Sequence, residues 1–152
     1  MITTSPSISP NLMLSARCPP CVHAAFQKGD DNPLLALCNG DVHGEYLAFD
    51  FKSVRPLLLD VTHSRPSAVY GNHRHLSCNQ MMTVLSGALD IYLLCACPNR
   101  HVFRKRMEAG ASVHLPSGTA HAVHTLAETE IISVFTDGDP RLDRERIELI
   151  SL

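Results

Sequence analysis

The stretch that decides the fold is residues 70–87, YGNHRHLSCNQMMTVLSG. Read as an extended strand, it places His73 and His75 on one face and Arg74 on the other, because side chains alternate along a strand. Two imidazoles on one face can converge on a single ion or substrate. Residues 76–79 read as a turn, Gln80 opens the next strand, residues 81–85 return to apolar packing, and Gly87 admits a turn into a further strand. A second stretch, residues 110–125, GASVHLPSGTAHAVHT, supplies a complement. Its Pro-Ser-Gly-Thr is turn chemistry that leads into a strand carrying His121 near its start. Two strand-and-turn units that each deliver histidine point to one shared site.

Outward from these stretches the chain keeps the same texture. Candidate strands fall at 34–38, 45–51, 55–63, 66–75, 80–86, 88–97, 101–107, 111–115, 121–126 and 130–136. Asn39-Gly40, Ser86-Gly87, Pro98-Asn99, Gly110 and Pro116-Ser117-Gly118 separate many of them. Short strands at close spacing with Gly and Pro turns predict an all-β sandwich or barrel. Helical spacing appears only in DPRLDRERIELI, where Leu142, Ile147 and Ile150 follow Asp139-Pro140, so a short C-terminal helix covering a sheet edge is expected. Residues 1–30, rich in Pro, Ser and Thr, read as a flexible leader, and 31–152 as one barrel domain.

Length and composition agree. The chain has 152 residues, 45% hydrophobic and 18% charged, which suits a single globular domain with one core. Aromatics are few, so Val, Ile, Leu and Met must fill that core. A net charge of −2 creates no field toward nucleic acid or an anionic membrane. The dense basic run, residues 104–106, reads as a solvated strand face. No segment reaches the roughly 18 apolar residues of a membrane span. The N-terminus lacks the pattern of a secretory signal, and a cytoplasmic location is expected, with an organelle-targeting leader as the alternative. Among the six cysteines, Cys18 and Cys21 form a C-x-x-C with no second pair at zinc-finger spacing. Reduced thiols, several buried as small apolar groups, are the expectation.

The two histidine stretches together resemble the cupin superfamily. Its first motif is Gly, a short gap, His-x-His, three or four residues, Glu or Gln, six residues, Gly. Here Gly71, His73, His75, Gln80 and Gly87 take those places, with a shortened first gap. Its second motif is Gly, five residues, Pro-x-Gly, two residues, His, three residues, Asn. Gly110, Pro116, Gly118, His121 and Thr125 take those places, with Thr for Asn. The resemblance implies a small jelly-roll β-barrel, and metal ligation by His73, His75, Gln80 and His121. Three imidazoles and an oxygen suit Fe, Mn, Ni, Cu or Zn, and such a site leaves positions open for substrate. Gln80 in place of glutamate removes a charge that would help hold the ion.

Three functions are expected from these residues. One is a metal-dependent enzyme acting on a small polar substrate that is sugar-like, keto or carboxylate. The second rests on a further similarity of His-x-His-x4-Gln to the sugar-nucleotide ketoisomerase and epimerase cupins. There His73 or His75 is the base, Tyr70 the acid and Arg65 the nearest phosphate clamp. This chain has Val69-Tyr70 where those enzymes carry arginine. The third is a non-enzymatic ligand-binding cupin. The implied partners are a small molecule and a second copy of the chain, with neither nucleic acid nor membrane. Of the other histidines, His124 has the wrong parity for the cavity and His114 reads as structural. Asp90 and Tyr92 share a face that lines the cavity only if it points inward.

Overall fold

The computed structural model describes residues 5–15, 24–27, 58–95 and 100–152. The expected strands at 34–38 and 45–51, and Cys18, Cys21, Cys38, Cys97 and His43, lie outside the described residues. Each expected strand from 55–63 onward is present. They are β4 (Leu58–Ser64), β5 (Val69–His75), β6 (Asn79–Ser86), β7 (Ala88–Leu94), β8 (His101–Glu108), β9 (Ser112–Leu115), β10 (His121–Thr125) and β11 (Thr129–Thr136). Shorter strands flank them: β1 (Ser7–Ile8), β2 (Met13–Ser15), β3 (Ala25–Gln27), β12 (Arg144–Arg146) and β13 (Ile150–Ser151).

Two sheets face each other. One has six strands in the order β12-β5-β10-β7-β8-β2, the other five in the order β3-β9-β6-β11-β4. Alternation along each strand sends one set of side chains between the sheets. From the six-stranded sheet come Leu89, Ile91, Leu93, Met107 and Val123; from the other, Met82, Val84, Val113, Leu115 and Ile131. All are buried, and at about 25 cal/mol per Å² of apolar surface this layer is the main stabilising element. The opposite parity on the six-stranded sheet, Tyr92, Val102 and Ala122, packs against Leu12, Leu149 and Ile150. Asp90 and Tyr92 therefore lie on the outer face, where Asp90 accepts from Arg106 Nε at 3.2 Å.

The C-terminal stretch is not the helix its spacing suggested; no helix occurs among the described residues. Arg144–Arg146 pairs with β5, and Ile150–Ser151 pairs with β1. A helical face joining Leu142 to Ile147 and Ile150 would bury all three, yet Leu142 is 85% exposed while Leu149 and Ile150 are buried. The open edge of β5 offers backbone partners to the charged segment. Asn72 fastens Leu149 and Ile150: its side chain donates to the Ile150 carbonyl at 2.9 Å and accepts from the N–H groups of Leu149 and Ile150 at 2.8 and 3.1 Å.

The stretch read as a leader contains β1, β2 and β3, and their described residues pair with β13, β8 and β9. Of the described cysteines, Cys78 is a buried free thiol, as expected, whereas Cys95 is disulfide-bonded rather than reduced.

One irregularity shapes the site. The β5–β10 register pairs His73 with His121 but Gly71 with Ala122, leaving Asn72 as the extra residue of a bulge. Gly71 and Asn72 have φ of 84° and 51°. A Cβ on Gly71 would stand 3.0 Å from the His121 carbonyl oxygen, so glycine permits both the left-handed backbone and the close approach. The bulge resets the alternation. Tyr70 and His73, three residues apart, both point between the sheets, where a regular strand would send them to opposite faces.

Candidate metal and substrate site

His73 and His75 project inward from β5, and His121 does so from the first residue of β10. Gln80, the second residue of β6, faces them from the opposite sheet. The Pro116–Gly118 turn sets His121: the Gly118 N–H donates to the His75 carbonyl at 2.6 Å, tying the turn to the end of β5. The histidine rings pack edge to face, with His73 centred 4.8 Å from both His75 and His121. One ring nitrogen from each lies within 4.8 Å of the others.

Two of these rings have a second nitrogen engaged. His121 Nδ1 is 3.1 Å from the Thr119 carbonyl, and His75 Nδ1 is 3.0 Å from an Asp143 carboxylate oxygen. Both partners only accept, so each Nδ1–H donates and Nε2 is the nitrogen left to face a ligand. Burial, then His75 and Arg144, pushes the His73 pKa down to about 4, against a backbone hydrogen bond with Gly71. Burial and then His73 push His121 down to about 3. Both rings are neutral at pH 7, the form that ligates a metal.

Gln80 is 6% exposed. Its Nε2 donates to Ser133 Oγ at 3.1 Å, while its Oε1 is buried without a hydrogen-bond partner. An orphaned buried acceptor costs about 1–3 kcal/mol. A cation beside it would remove that penalty, and three imidazoles plus an oxygen form a donor set for a divalent transition metal. The residues therefore fit the group.

The four residues open on a cavity of about 160 Å³. Its walls include Met82, Val123, Ile131 and Phe135, with Phe135 5.5 Å from the His75 ring. Its polar lining adds Tyr70, Ser133, Asp60, Thr62 and Arg144. The Tyr70 hydroxyl is buried; Ser64 stands near it without meeting hydrogen-bond geometry. Burial pushes the Tyr70 pKa up to about 12, so this phenol stays protonated.

Asp143 belongs to a second cluster with His75 and Cys78. Its carboxylate also accepts from the Ser77 hydroxyl and from the N–H groups of Ser77 and Cys78, the latter two at 2.7 and 2.8 Å. Burial alone would raise its pKa; these donors hold it well below the usual carboxylate range. Burial and Asp143 push the Cys78 thiol up to about 11, so it is not a ready ligand. This cluster is a hydrogen-bonded support for His75.

The structure brings together five of the expected site residues in one cavity: His73, His75, His121, Gln80 and Tyr70. Arg65 is not among the cavity residues; its carbonyl accepts from Thr125 Oγ1 at 2.6 Å. Thr125 also accepts from the Ala68 N–H at 2.8 Å, so in the place of the motif's Asn it ties down the β4–β5 turn. His124 is buried on the outer parity, its ring nitrogens unpartnered, and His114 is exposed. Sequence reading missed Asp60, Thr62, Ser133, Asp143 and Arg144. Asp60 and Thr62 carried a signal, the alternation of LLDVTHS, whereas Asp143 and Arg144 were concealed by the helical reading.

This chain belongs to the cupin family: the family profile described as Cupin matches residues 52–144. Among solved structures, it is similar to the capsular polysaccharide assembling protein CapF of Staphylococcus aureus (22% identity, 62% of this chain, 29% of that one, TM-score 0.51). It is also similar to oxalate decarboxylase of Bacillus subtilis (20% identity, 60% and 24%, TM-score 0.53). A third is dTDP-4-dehydrorhamnose 3,5-epimerase of Elizabethkingia anophelis (15% identity, 59% and 54%, TM-score 0.50). The match spans less than a third of the first two proteins' lengths, and at these identities the likeness is one of fold. No curated protein sequence matches the chain significantly.

Proposed function

We propose that this chain is a metal-binding cupin enzyme acting on a small polar substrate within the barrel. The observation that carries the reading is the clustering of three imidazoles in one cavity with Gln80, whose buried Oε1 has no hydrogen-bond partner. His73, His75 and His121 would hold the ion, with Gln80 as the oxygen donor. A bound divalent transition metal supplies Lewis acidity toward a carbonyl or carboxylate oxygen. The chain supplies the rest. Asp143 and Thr119 orient His75 and His121, and the apolar walls exclude water. Tyr70, held protonated, donates a hydrogen bond to substrate oxygen.

A second reading is a metal-free isomerase or epimerase, and the His75–Asp143 contact favours it. A carboxylate behind an imidazole stabilises the imidazolium formed when His75 takes a proton alpha to a keto group, with Tyr70 as the acid. The fold accommodates both, since structural neighbours include a decarboxylase and an epimerase by name.

Metal analysis of protein purified without added metal decides between them. Near one equivalent of Fe, Mn, Ni, Cu or Zn, lost in His73→Ala and His121→Ala, supports the first reading. Less than about a tenth of an equivalent, with no binding on titration, sinks it.

A further inference from the structure

The metal reading leaves the charged rim of the cavity unused. On β12, Arg144 lies opposite His75 in the ladder and Arg146 opposite His73, so both arginines share the histidines' face. Glu145 points the other way and pairs with Arg74 at 2.6 Å. Arg106 is paired with Asp90, and Arg141 with Asp139. Arg144 has no such partner among the described residues, although acidic residues flank it in sequence. Glu145 is on the wrong face, and Asp143 is occupied by His75, Ser77 and Cys78. An unpaired guanidinium thus stands beside the histidine cluster at the cavity wall.

The far rim has the opposite character. On edge strand β4, Asp60 and Thr62 face inward opposite Ser133 and Ile131. Thr62 Oγ1 donates to one Asp60 oxygen at 3.0 Å, leaving the other free to accept. Between the rims, Gln80 lines the cavity more than nine-tenths buried with an unpartnered acceptor, and the buried Tyr70 hydroxyl is a donor without a partner.

We propose that Arg144 anchors the carboxylate of the substrate, and that the substrate is a small hydroxy or keto acid whose hydroxyl groups reach Asp60 and Thr62. The assignment rests on the cavity being the substrate site of the enzyme proposed above. The guanidinium matches a carboxylate with two parallel hydrogen bonds. A carboxylate rim repels a second anionic end and accepts from hydroxyls, so a monoacid fits and a dianion does not. Size restricts the class further. A cavity near 160 Å³ is about that which takes a benzene-sized ligand, so an acid of about three to six carbons fills it. A nucleotide sugar would leave most of its bulk outside.

The test uses the full chain at fixed ionic strength. Isothermal titration compares D-glycerate and D-gluconate with the uncharged glycerol and D-glucitol, and with the dianion D-glucarate. The acids are expected to bind with at least a tenfold preference over the alcohols and over glucarate. Arg144→Gln should weaken both acids by about 10- to 100-fold, the range for a charge-assisted bidentate contact, with Arg144→Lys recovering part of the loss. Asp60→Asn should weaken gluconate more than glycerate. Urea midpoints of the unliganded variants check folding, and the comparison of acids with alcohols on the unsubstituted chain is independent of any variant. Equal acid binding by the Arg144→Gln chain, alcohols binding as tightly as acids, or no acid binding overturns the assignment. Metal content of the same preparations keeps the two questions apart. Arg144-dependent acid binding by metal-free protein supports the anchor while sinking the metal reading, and metal-loaded protein indifferent to Arg144 does the reverse.

Discussion

Asp143 lies 3.0 Å from His75 Nδ1 and accepts three more hydrogen bonds from Ser77 and Cys78, so one carboxylate both closes the β5–β6 turn and aims a site histidine. Asp143→Ala should cost about 1–3 kcal/mol, because it strands the donors of buried His75 and Cys78, while the exposed Ser77 donors turn to water. The urea midpoint measures that loss. Asp143→Asn retains an acceptor for the turn but loses the charge behind His75. It should keep most of the stability while metal affinity falls by about 10- to 100-fold in chelator competition. Unchanged metal affinity in a folded Asp143→Asn chain would confine Asp143 to the turn.

Two of the site histidines, His73 and His121, predict an acid-side loss of stability. His73 and His121 have folded pKa values pushed down to about 4 and about 3, below the ordinary 6.5. Between those values the unfolded chain binds more protons than the folded one, so stability rises with pH there and falls as pH drops from 6.5 toward 4. Asp143, held low, adds its own loss only below the ordinary carboxylate pKa near 4. In metal-free protein the urea midpoint should therefore fall between pH 7.5 and pH 4.5, and His121→Gln should flatten that slope. A slope unchanged by His121→Gln would remove the assignment to this histidine.

How much of this was legible in sequence depends on which signals are local. His73, His75 and His121 were found because strand alternation and turn residues are properties of neighbours in the chain. Tyr70 lies in the cavity for a reason alternation denies: the Gly71–Asn72 bulge resets the parity, and nothing in the residue types separated that bulge from an ordinary glycine. The C-terminal stretch failed differently. DPRLDRERIELI has helical spacing, but the vacant edge of β5 and the Asn72 side chain are long-range partners that local periodicity does not register. Asp143 and Arg144 were lost with it. Asp60 showed only as a polar residue in an apolar strand, and its place at the rim depends on β4 being the sheet edge.

Asn72 couples that bulge to the C-terminus, and two substitutions separate its roles. Asn72→Gly keeps the left-handed backbone but loses the side-chain bonds to Leu149 and Ile150. Asn72→Ala loses those bonds and adds the strain of a φ near +51°. The glycine variant should lose about 2 kcal/mol and the alanine variant about 1 kcal/mol more, read from urea midpoints. In both, amide exchange should accelerate first at residues 147–152. Uniform acceleration across the barrel would show instead that the C-terminal segment is not held separately by Asn72.

Gln80 is where metal and substrate readings diverge most sharply, and Gln80→Glu tests it directly. The glutamate matches the glutamine in shape and adds a negative charge to the cavity that holds the three imidazoles. If the site holds a divalent ion, that charge should raise affinity at least about tenfold, the equivalent of 1.4 kcal/mol. The gain should grow with pH, since a buried carboxyl without metal has a raised pKa and must release its proton to ligate. The metal-free variant should be less stable than the parent at pH 8, where the carboxylate is forced to ionise, and nearly equal to it at pH 5. Chelator competition at the two pH values, with urea midpoints alongside, reads both effects. An affinity that stays flat at both, in a variant that still folds, would mean that the Gln80 side chain does not face the ion and that its buried oxygen is reserved for substrate.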